Sequence, residues 1–441
     1  MVERKENTVF TQLRDKIRGR RAALSVIGLG YVGLPLAVEM AKAGLRVYGI
    51  DVNREKIRMV RAGKSYVQDV SNSDLAGVVH QGRLVATQDF GVLRRSDVVD
   101  ICVPTPLRKT KDPDISYIIE AVEQIARYLR VGQLVILEST TYPGTTDEVI
   151  LTRLEQRGLK VGKDFFLAFS PERVDPGNKI YRTANIPKVV GGVTRNCTAV
   201  ASEFYAVSID CVVPVSSTVV AEMVKLLENT FRSVNIGLVN EICLMCDRMG
   251  IDVWEVIEAA ATKPFGYLKF LPGPGLGGHC IPIDPFYLSW KAKMAGFEPR
   301  FIELAGQINS SMPGYVVSKV NEALNDACKS IRGSKVLVLG VAYKANVSDT
   351  RESPAIDVMR ELFARGARVA FADPHVDEIC VDGKTLRNTT LTPSKLGQFD
   401  CAVIVADHAA FDYGMIVRWS HAIVDTRNAL VKFRSRKIKR I

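Results

Sequence analysis

Residues 22–51 read AALSVIGLGYVGLPLAVEMAKAGLRVYGID, and this stretch decides the class of the fold. An apolar run leads into a glycine turn, then into apolar residues at helical spacing, and then into a second apolar run that ends at Asp51. Strand, tight turn, helix and strand in this order form a βαβ unit, from which parallel sheets are built. The sequence therefore predicts an α/β protein with helices on the faces of a parallel sheet.

The turn of this unit carries Gly28, Gly30 and Gly33 at GxGxxG spacing. Such glycines permit a tight turn and let the backbone approach a pyrophosphate, which binds the N–H groups at the start of the helix. Asp51 would accept hydrogen bonds from the adenosine ribose and repel a 2′-phosphate, which favours NAD over NADP. A purely structural glycine turn is the alternative. The residues that we predict to contact NAD here are Gly28, Gly30, Tyr31, Val32, Gly33 and Asp51.

The rest of the chain shows two further patterns. Apolar residues recur at helical spacing from Ser216 to Gly250 without a proline, which predicts one long helix that could bridge two domains and pack against a second subunit. Residues 335–376 repeat strand, loop, helix and strand, but without GxGxxG. We predict two Rossmann-like doubly wound domains joined by a long central helix within an all-α domain. The predicted parts are a basic N-terminal extension (1–21), an NAD-binding domain (22–205), a central helical domain (206–330) and a C-terminal Rossmann-like domain (331–441).

Composition limits the class of protein and its partners. The chain has 441 residues and a formal net charge of +11, which indicates two or three domains and anionic partners. A phosphate-rich small molecule explains this charge better than nucleic acid, for which there is no motif, although the basic ends are equally consistent with a solvated surface. The nine cysteines are scattered, and Cys243 and Cys246 suit a helical core better than zinc. We predict a cytoplasmic protein without a metal site, a secretion signal or a membrane span.

Polar residues follow several predicted strands, at the sheet edge where ligands of such folds bind. Thr105 in VPTP and Thr140 in ESTTYPGTT are candidate cofactor or water contacts, although such turns often have no further role. Glu172 and Arg173 in SPERVDPGN (170–178) follow another strand, and a surface ion pair is the alternative there.

The long helix carries Lys225, Asn229 and Arg232 at i, i+4 and i+7, so these side chains share one face. A desolvated lysine beside an asparagine could stabilise an oxyanion or move a proton. Glu222 and Glu228 could instead pair with the two cations as a solvated stripe. The residues alone leave both interpretations open.

Two loops carry the remaining candidates. In GPGLGGHCIPIDP (273–285), Cys280 lies in a glycine-rich bend and Asp284 follows, which suits nucleophilic catalysis better than a buried structural thiol. In AYKANVSDTRESP (342–354), Lys344 and Arg351 could bind phosphates, the alternative being a polar loop before a helix capped by Ser353.

Together these segments resemble the UDP-sugar 6-dehydrogenases of the UDP-glucose/GDP-mannose dehydrogenase family, from about residue 22 to 430. SPERVDPGN, IPKVVGG and GGHCIPIDPFYL look most like the UDP-N-acetylglucosamine 6-dehydrogenases, and the UDP-N-acetylmannosamine enzymes are similar. Ile283 stands where the UDP-glucose enzymes have a lysine, and their second-subunit arginine has no match near Pro264. The motifs of the resemblance are, in order, GLGYVGLPLA, VPTP, STTYPGTT, SPERVDPGN, EMVKLLENTFRSVNI, GPGLGGHCIPIDP and AYKANVSDTRESP.

The resemblance implies a role for each matched residue. Cys280 would be the nucleophile, Lys225 and Asn229 would stabilise anionic intermediates, Asp284 with Thr140 and a water would transfer protons, and Glu172 would be the base for hydrolysis. The residues implied to contact NAD are Asp51, Lys56, Thr105, Thr140 and Arg351. The residues implied to contact the UDP-sugar are Arg173, Val174, Lys225, Asn229, Arg232, Lys269, Phe270, Leu271, Pro272, Gly273, Gly277, Tyr343 and Lys344.

The implied activity is an NAD-dependent four-electron oxidation of C6 of a UDP-N-acetylhexosamine, for surface polysaccharide precursors. UDP-N-acetylglucosamine is the first choice of substrate, with UDP-N-acetylmannosamine or UDP-glucose as alternatives. The implied assembly is a homodimer through the central helix, with a UDP-binding C-terminal domain. The competing hypotheses are a non-catalytic nucleotide-sugar-binding protein and a simple two-electron dehydrogenase.

Overall fold

The computed structural model describes residues 8–67, 69–108, 112–175, 180–181, 183–278 and 280–441. Residues 176–178 of SPERVDPGN and His279 lie outside these ranges. The chain forms two compact units: the first runs up to Glu228 and includes Phe286–Ala295, and the second consists of Asn229–Pro285 and Gly296–Ile441. The division into four parts at 22, 206 and 331 stays a prediction.

The first unit is built on one eight-stranded sheet in the order β3-β2-β1-β4-β5-β6-β7-β8. Its strands are β1 (Ala23–Ile27), β2 (Arg46–Ile50), β3 (Leu84–Thr87), β4 (Val98–Ile101), β5 (Leu134–Leu137), β6 (Phe166–Phe169), β7 (Lys188–Gly192) and β8 (Val212–Val215). Its helices are α1 (Thr8–Arg18), α2 (Gly33–Lys42), α3 (Arg54–Arg61), α4 (Asn72–His80), α5 (Ser116–Tyr128), α6 (Thr152–Glu155) and α7 (Arg195–Tyr205), with a 3₁₀ helix at Phe90–Arg95 and a π-helical turn at Thr146–Leu151.

The central strands are buried along their whole length. Every residue of β4, β5 and β6 is buried, as expected for strands covered by helices on both faces. The prediction of a wholly parallel sheet is wrong at one place, because β7 runs antiparallel to β6. An antiparallel neighbour needs no crossover helix between the two strands.

Helix α1 lies in the segment predicted to be a basic extension. Leu13 and Ile17 are buried in the first unit, while Arg14 and Arg18 both form ion pairs with Glu203 on α7. Part of the basic N-terminal segment therefore serves packing.

Long helices follow the first sheet: α8 (Thr218–Met249), α9 (Val253–Ala260), α10 (Asp284–Met294) and α11 (Arg300–Asn325). The predicted helix from Ser216 to Gly250 is confirmed in α8, and Gly250 ends it with a φ of +69°. Cys243 and Cys246 on this helix are buried, as predicted. No helix among the described residues is long and apolar enough to cross a membrane.

The second unit contains a five-stranded parallel sheet in the order β10-β9-β13-β14-β15. Its strands are β9 (Lys335–Leu339), β10 (Arg368–Ala372), β13 (Cys401–Ile404), β14 (Ile423–Asp425) and β15 (Ile438–Arg440), with a hairpin of β11 (Glu378–Val381) and β12 (Lys384–Arg387). The second unit also contains the helices α12 (Pro354–Ala364), α13 (Pro393–Leu396) and α14 (Tyr413–Trp419). The second Rossmann-like domain is thereby confirmed.

Candidate active site

A cleft of about 640 Å³ opens at the carboxyl ends of β1, β2 and β4 in the first unit. Its size suits a small-molecule ligand, and its position is the one at which doubly wound sheets bind nucleotides. Gly28, Gly30, Asp51 and Lys56 all line it. The structure therefore brings these predicted NAD contacts together.

The three glycines of the turn have different surroundings. Gly28 has a φ of +96°, and a Cβ there would lie 2.4 Å from the carbonyl oxygen of Cys102. A Cβ on Gly33 would lie 1.9 Å from the carbonyl oxygen of Gly28, so this glycine lets the start of α2 pack on the turn. A Cβ on Gly30 would meet no atom within 4 Å, so this position is kept open on the side of the cleft. Gly28 and Gly33 are therefore required by packing, whereas the open space at Gly30 would let a pyrophosphate approach the backbone.

Asp51 lies at the cleft with its carboxylate already oriented. It accepts hydrogen bonds from the backbone N–H groups of Leu29 (2.9 Å) and Asn53 (2.8 Å), and the ammonium of Lys56 lies 3.3 Å from it. A fixed, charged acceptor at this edge suits ribose hydroxyls and opposes a 2′-phosphate. The residues present therefore fit NAD.

The other predicted cofactor contacts of the first unit flank the carboxyl ends of its strands. Thr105 is buried, and its carbonyl oxygen accepts a hydrogen bond from the Tyr287 hydroxyl at 2.9 Å. Thr140 is half-buried, Val32 is half-buried in the turn before α2, and Tyr31 is 43% exposed.

Glu172 is held by main-chain and side-chain donors. Its Oε1 accepts hydrogen bonds from the N–H groups of Arg173 (2.6 Å) and Val174 (2.8 Å), and its Oε2 lies 3.2 Å from the ammonium of Lys188. Burial alone would raise the pKa of Glu172. The charge of Lys188 and the backbone donors outweigh burial and hold that pKa below its usual range, with a smaller contribution from Lys225. An ionised carboxylate in this setting can act as a base.

The alternative interpretation of local surface ion pairs around Glu172 and the long helix does not agree with the partners in the structure. Arg173 does not pair with Glu172 but makes a two-pronged contact with Glu228 at 3.1 and 2.6 Å. Glu222 is fully buried and accepts hydrogen bonds from Gly144 and Thr146 instead of forming a solvated stripe. Sequence spacing favoured partners on the same helix, whereas the fold supplies donors from a distant loop.

Lys225 and Asn229 are both largely buried on α8. The Lys225 ammonium donates to the carbonyl oxygen of Glu172 at 2.6 Å. In the second unit, the Asn229 amide donates to the carboxylate of Asp284 at 2.5 Å. Arg232, the third residue of this predicted face, is exposed.

Cys280 is half-buried immediately before helix α10. Its carbonyl oxygen accepts hydrogen bonds from the N–H groups of Ile283 (3.0 Å) and Asp284 (2.8 Å), so the cysteine backbone is fixed by the first turn. The structure thus brings Cys280, Asp284 and Asn229 together in the second unit.

The glycine-rich loop before Cys280 packs on the loop after β9. A Cβ on Gly277 would lie 2.8 Å from the Cβ of Tyr343, and a Cβ on Gly278 would lie 2.9 Å from the Tyr343 ring. The N–H of Gly278 donates to the carbonyl oxygen of Arg351 at 3.2 Å. Two of the predicted substrate contacts, Gly277 and Tyr343, are therefore neighbours, and Lys344 follows on the same loop.

The remaining predicted contacts have various surroundings. Arg351 forms an ion pair with Asp349, and Lys269 forms one with Glu258. The Phe270 ring packs against that of Phe231. Leu271 is 46% exposed, whereas Pro272 and Gly273 are buried.

Arg427 is a residue that sequence reasoning missed. A Cβ on Gly273 would lie 2.5 Å from Nη1 of Arg427, so the guanidinium packs against this predicted substrate loop. Its Nε donates to the carbonyl oxygen of Val405 at 2.8 Å, and it has no ion pair within the described part of the chain. Burial lowers the pKa of Arg427 to about 10. The sequence feature that could have identified Arg427 is its position in DTRN, directly after strand β14.

A chain of buried amides supports the same loop. The side-chain oxygen of Asn240 accepts from the N–H of Gly273 at 3.0 Å, and its amide nitrogen donates to Asn309 at 2.9 Å. Asn309 in turn donates to the carbonyl oxygen of Ser233 at 3.1 Å. Both asparagines are therefore satisfied, and they tie Gly273 to α8 and α11.

One group of possible metal ligands occurs among the described residues, namely Asp100, Cys102 and Glu138 in the first unit. The ammonium of Lys188 lies 2.9 Å from Glu138 and already supplies a cation there. The prediction of no metal site stays a prediction.

Comparisons with known proteins agree with this geometry. Models of the UDP-glucose/GDP-mannose dehydrogenase family match its NAD-binding domain to residues 22–209, its central domain to 219–311 and its UDP-binding domain to 337–432. The UDP-N-acetyl-D-glucosamine 6-dehydrogenase of Pseudomonas aeruginosa is 37% identical over 88% of this chain and 91% of its own length.

Two archaeal proteins are similar over a comparable length. The UDP-N-acetyl-D-mannosamine dehydrogenase of Methanococcus maripaludis is 35% identical over 88% of this chain and 86% of its own length. The structure of the Pyrococcus horikoshii UDP-D-ManNAc dehydrogenase aligns with a TM-score of 0.87 at 34% identity, covering 95% of this chain and 99% of that one. The chain therefore belongs to the UDP-glucose/GDP-mannose dehydrogenase family and is an NAD-dependent oxidoreductase.

Proposed function

We propose that this enzyme oxidises C6 of a UDP-N-acetylhexosamine, with UDP-N-acetylglucosamine as the first choice, to the uronate. The observation that carries the proposal is the arrangement around Cys280, whose backbone is fixed by helix α10 while Asn229 holds Asp284 at 2.5 Å. A thiol, an amide donor and a carboxylate are the groups that an acyl-enzyme mechanism needs.

The first oxidation turns the C6 alcohol into an aldehyde. An NAD⁺ held in the cleft by Gly28, Gly30 and Asp51 would accept one hydride in the first oxidation, and a second NAD⁺ would replace the NADH and accept the hydride of the second. Asp284, with Thr140 and a water, takes the hydroxyl proton. The Cys280 thiolate then adds to the aldehyde carbon, and Lys225 and Asn229 stabilise the oxyanion of the thiohemiacetal.

The second oxidation removes hydride from the thiohemiacetal carbon and leaves a thioester on Cys280. Water then loses a proton to Glu172, and its oxygen adds to the thioester carbonyl. The carbon–sulfur bond breaks, Cys280 leaves as a thiolate, and the uronate is released as a precursor for surface polysaccharide. The lowered pKa of Glu172 keeps the carboxylate in the ionised form that can accept a proton, at the cost of some basicity.

The second unit offers cations for the UDP group. Lys344 lies on the loop that packs on Gly277, and the Arg427 guanidinium packs on Gly273. We assign both to the diphosphate, Arg427 as a fork and Lys344 as a point charge. Arg351 stays a proposed NAD contact. The residues proposed to complete the sugar and uridine site are Arg173, Val174, Arg232, Lys269, Phe270, Leu271, Pro272 and Tyr343.

The choice of an N-acetylated sugar is supported by the relatives, which include both an N-acetylglucosamine and an N-acetylmannosamine enzyme. Ile283, where UDP-glucose enzymes have a lysine, agrees with that choice. UDP-N-acetylmannosamine is the second candidate.

A homodimer through α8 is part of the proposal. Large apolar side chains are exposed along this helix, at Val219, Met223, Leu227 and Phe231, which recur at intervals of four residues. Such a stripe is typical of a helix that packs against a partner. A cytoplasmic location and the absence of nucleic-acid binding also stay predictions.

The test is the number of NADH molecules released per substrate. We expect about two with the preferred sugar when UDP-N-acetylglucosamine, UDP-N-acetylmannosamine, UDP-N-acetylgalactosamine and UDP-glucose are compared side by side. One NADH would indicate a two-electron dehydrogenase, and none would indicate a binding protein. Cys280→Ser should lose oxidation to the acid, and near wild-type uronate formation by that variant would refute the covalent scheme.

A further inference from the structure

A buried group of charged side chains lies behind Glu172 in the first unit. Its members are Asp100 on β4, Glu138 after β5, Lys188 at the start of β7 and Tyr205 at the end of α7. Each comes from a different element, and Asp100, Glu138 and Tyr205 are no more than 1% exposed. We call this group, together with Glu172, the buried acid cluster.

Lys188 joins two carboxylates of the cluster. Its ammonium lies 2.9 Å from Oε1 of Glu138 and 3.2 Å from Oε2 of Glu172, and its side chain is 6% exposed. Burying a charge without a partner is costly, so an ammonium in this position is a counter-ion to both acids. Burial alone would lower the pKa of Lys188, but Glu138 and Glu172 raise it above its ordinary value.

The far end of the cluster holds a proton. The Tyr205 hydroxyl lies 2.5 Å from Glu138 and 3.1 Å from Asp100. A hydroxyl has one proton to donate, so the second short contact requires a proton on one of the two carboxyls. Burial raises the pKa of both carboxyls, but the Lys188 ammonium at 2.9 Å favours the charged form of Glu138, so we assign the proton to Asp100.

Glu172 therefore has a fixed orientation. Its Oε1 is occupied by the N–H groups of Arg173 and Val174, and its Oε2 faces Lys188. A carboxylate has about four lone-pair positions, so one remains for a water. The side chain is 15% exposed, so Glu172 is not completely sealed from solvent.

We propose that Lys188 is a positioning residue for thioester hydrolysis: by sharing its ammonium between Glu138 and Glu172, it orients Glu172 and keeps it ionised as the base that takes the proton of water. This inference rests on the proposed function of Glu172. It deepens that function by naming the residue on which the base depends.

The cluster predicts opposite effects of two substitutions on Glu172. Lys188→Met removes a positive charge, so Glu172 should become harder to ionise. Glu138→Gln removes a negative charge and leaves the ammonium to Glu172 alone, so Glu172 should become easier to ionise. The other titratable groups that interact with Glu172, which both variants leave in place, are Lys225 from α8, Asp100 and Cys102. The side chain of the adjacent Arg173 is paired with Glu228.

The experiment uses the full-length enzyme with NAD⁺ and UDP-N-acetylglucosamine. Turnover is quenched in acid at several values between about pH 3 and 9, so that the acidic limb of the wild type is included, and intact-protein mass spectrometry measures the fraction of enzyme acylated on Cys280. For Lys188→Met we expect acyl-enzyme to accumulate, kcat to fall at least about tenfold, and the acidic limb of the rate profile to move to higher pH. For Glu138→Gln we expect the limb to move to lower pH. Lys188→Arg keeps the charge and should restore most of the rate.

The outcomes separate this inference from the function on which it rests. If Glu172→Gln neither accumulates acyl-enzyme nor loses the acidic limb, the assigned role of Glu172 is wrong. If Glu172→Gln does both but Lys188→Met does neither, only the inference about Lys188 is overturned. If Lys188→Met does not fold, Glu138→Gln still tests the proposal. An acidic limb of its rate profile that stays in place or moves to higher pH contradicts the proposal.

Discussion

In each of the two large sheets an aspartate follows one of the strands, but the two aspartates have different roles. Asp51 follows β2 in the first unit, and Asp373 follows β10 in the second. Asp51 lines a cleft. Asp373 is enclosed: its carboxylate accepts from the N–H groups of Val341 (2.7 Å), Ala342 (3.2 Å) and His375 (2.8 Å), and lies 3.1 Å from the His408 ring.

The turns before the two acids explain the difference. Helix α2 begins at Gly33, directly after the glycine turn, whereas α12 begins only at Pro354, after a long loop that follows β9. That loop brings its own N–H groups to Asp373, so the carboxylate stabilises the loop instead of a ribose. An acid at a strand end therefore indicates a dinucleotide site only when the preceding turn is short and open.

The largest effect should come from Asp373→Ala. It leaves three backbone N–H groups and His408 without their acceptor, so we expect a loss of about 3 kcal/mol or more in the free energy of unfolding. Urea unfolding measures this, and the NAD affinity of the folded protein should be unchanged. Asp373→Asn keeps an acceptor oxygen and should cost less. A loss below about 1 kcal/mol would show that the second acid is not structural.

Asp51→Asn should act on the cofactor. Losing a charged acceptor for the ribose should weaken NAD binding roughly 30-fold and reduce the preference over NADP, with only a small change in melting temperature. Titration with both dinucleotides checks this. Unchanged NAD affinity would mean that the cleft does not hold the adenosine ribose against Asp51.

A matched pair of glycines sharpens the comparison further. Gly30→Ala adds a Cβ that meets no protein atom within 4 Å, so it should weaken NAD binding about tenfold without lowering the melting temperature. Gly340→Ala, after β9, should do the reverse, because Gly340 has a φ of +80° and its Cβ would lie 2.6 Å from the carbonyl oxygen of Ala406. Equal effects on binding by both variants would contradict the distinction between the two turns.

The smallest effect concerns the pH dependence of stability. Burial raises the pKa of Glu222 in the first unit to about 7, against opposing hydrogen bonds from Thr146 and Gly144. Its contribution to stability is full below its ordinary pKa of 4.5 and is lost as the pH rises toward 7. Burial would also raise the pKa of Asp373, but His408 and the N–H groups of His375 and Val341 hold it below 3.8, so its contribution is lost only as the pH falls below that value.

Melting temperatures measured across this pH range test the direction of both effects on stability. Relative to the wild type, Glu222→Gln should gain stability as the pH rises, and Asp373→Asn should gain stability as it falls below about 4. If the difference in melting temperature between each variant and the wild type does not vary with pH, the assigned pKa directions of Glu222 and Asp373 are wrong.

Local patterns in the sequence predicted much of the fold. The βαβ unit at 22–51, the helix that ends at Gly250 and the second parallel sheet were all predicted, because each depends on the periodicity and turn chemistry of one continuous segment. The cleft residues Gly30 and Asp51 were predicted for the same reason.

The residues that sequence reasoning missed depend on contacts between distant segments. Asp100 and Lys188 lie within apolar strand sequences that are 88 positions apart. Contacts of Asp100 with Tyr205, of Tyr205 with Glu138 and of Glu138 with Lys188 connect them in the folded sheet. The antiparallel β7 and the pairing of Arg173 with Glu228 are also set by tertiary structure. No periodicity reports such contacts.

The amide chain beneath the substrate loop has a consequence for chemical ageing of the protein. Asn240 accepts from Gly273 with its oxygen and donates to Asn309 with its nitrogen, so its two ends cannot be exchanged. Hydrolysis of this one amide to an acid would set a carboxylate oxygen against the oxygen of Asn309 and bury a new negative charge. A change of a single atom, with no change of shape, would therefore loosen the loop that carries Gly273.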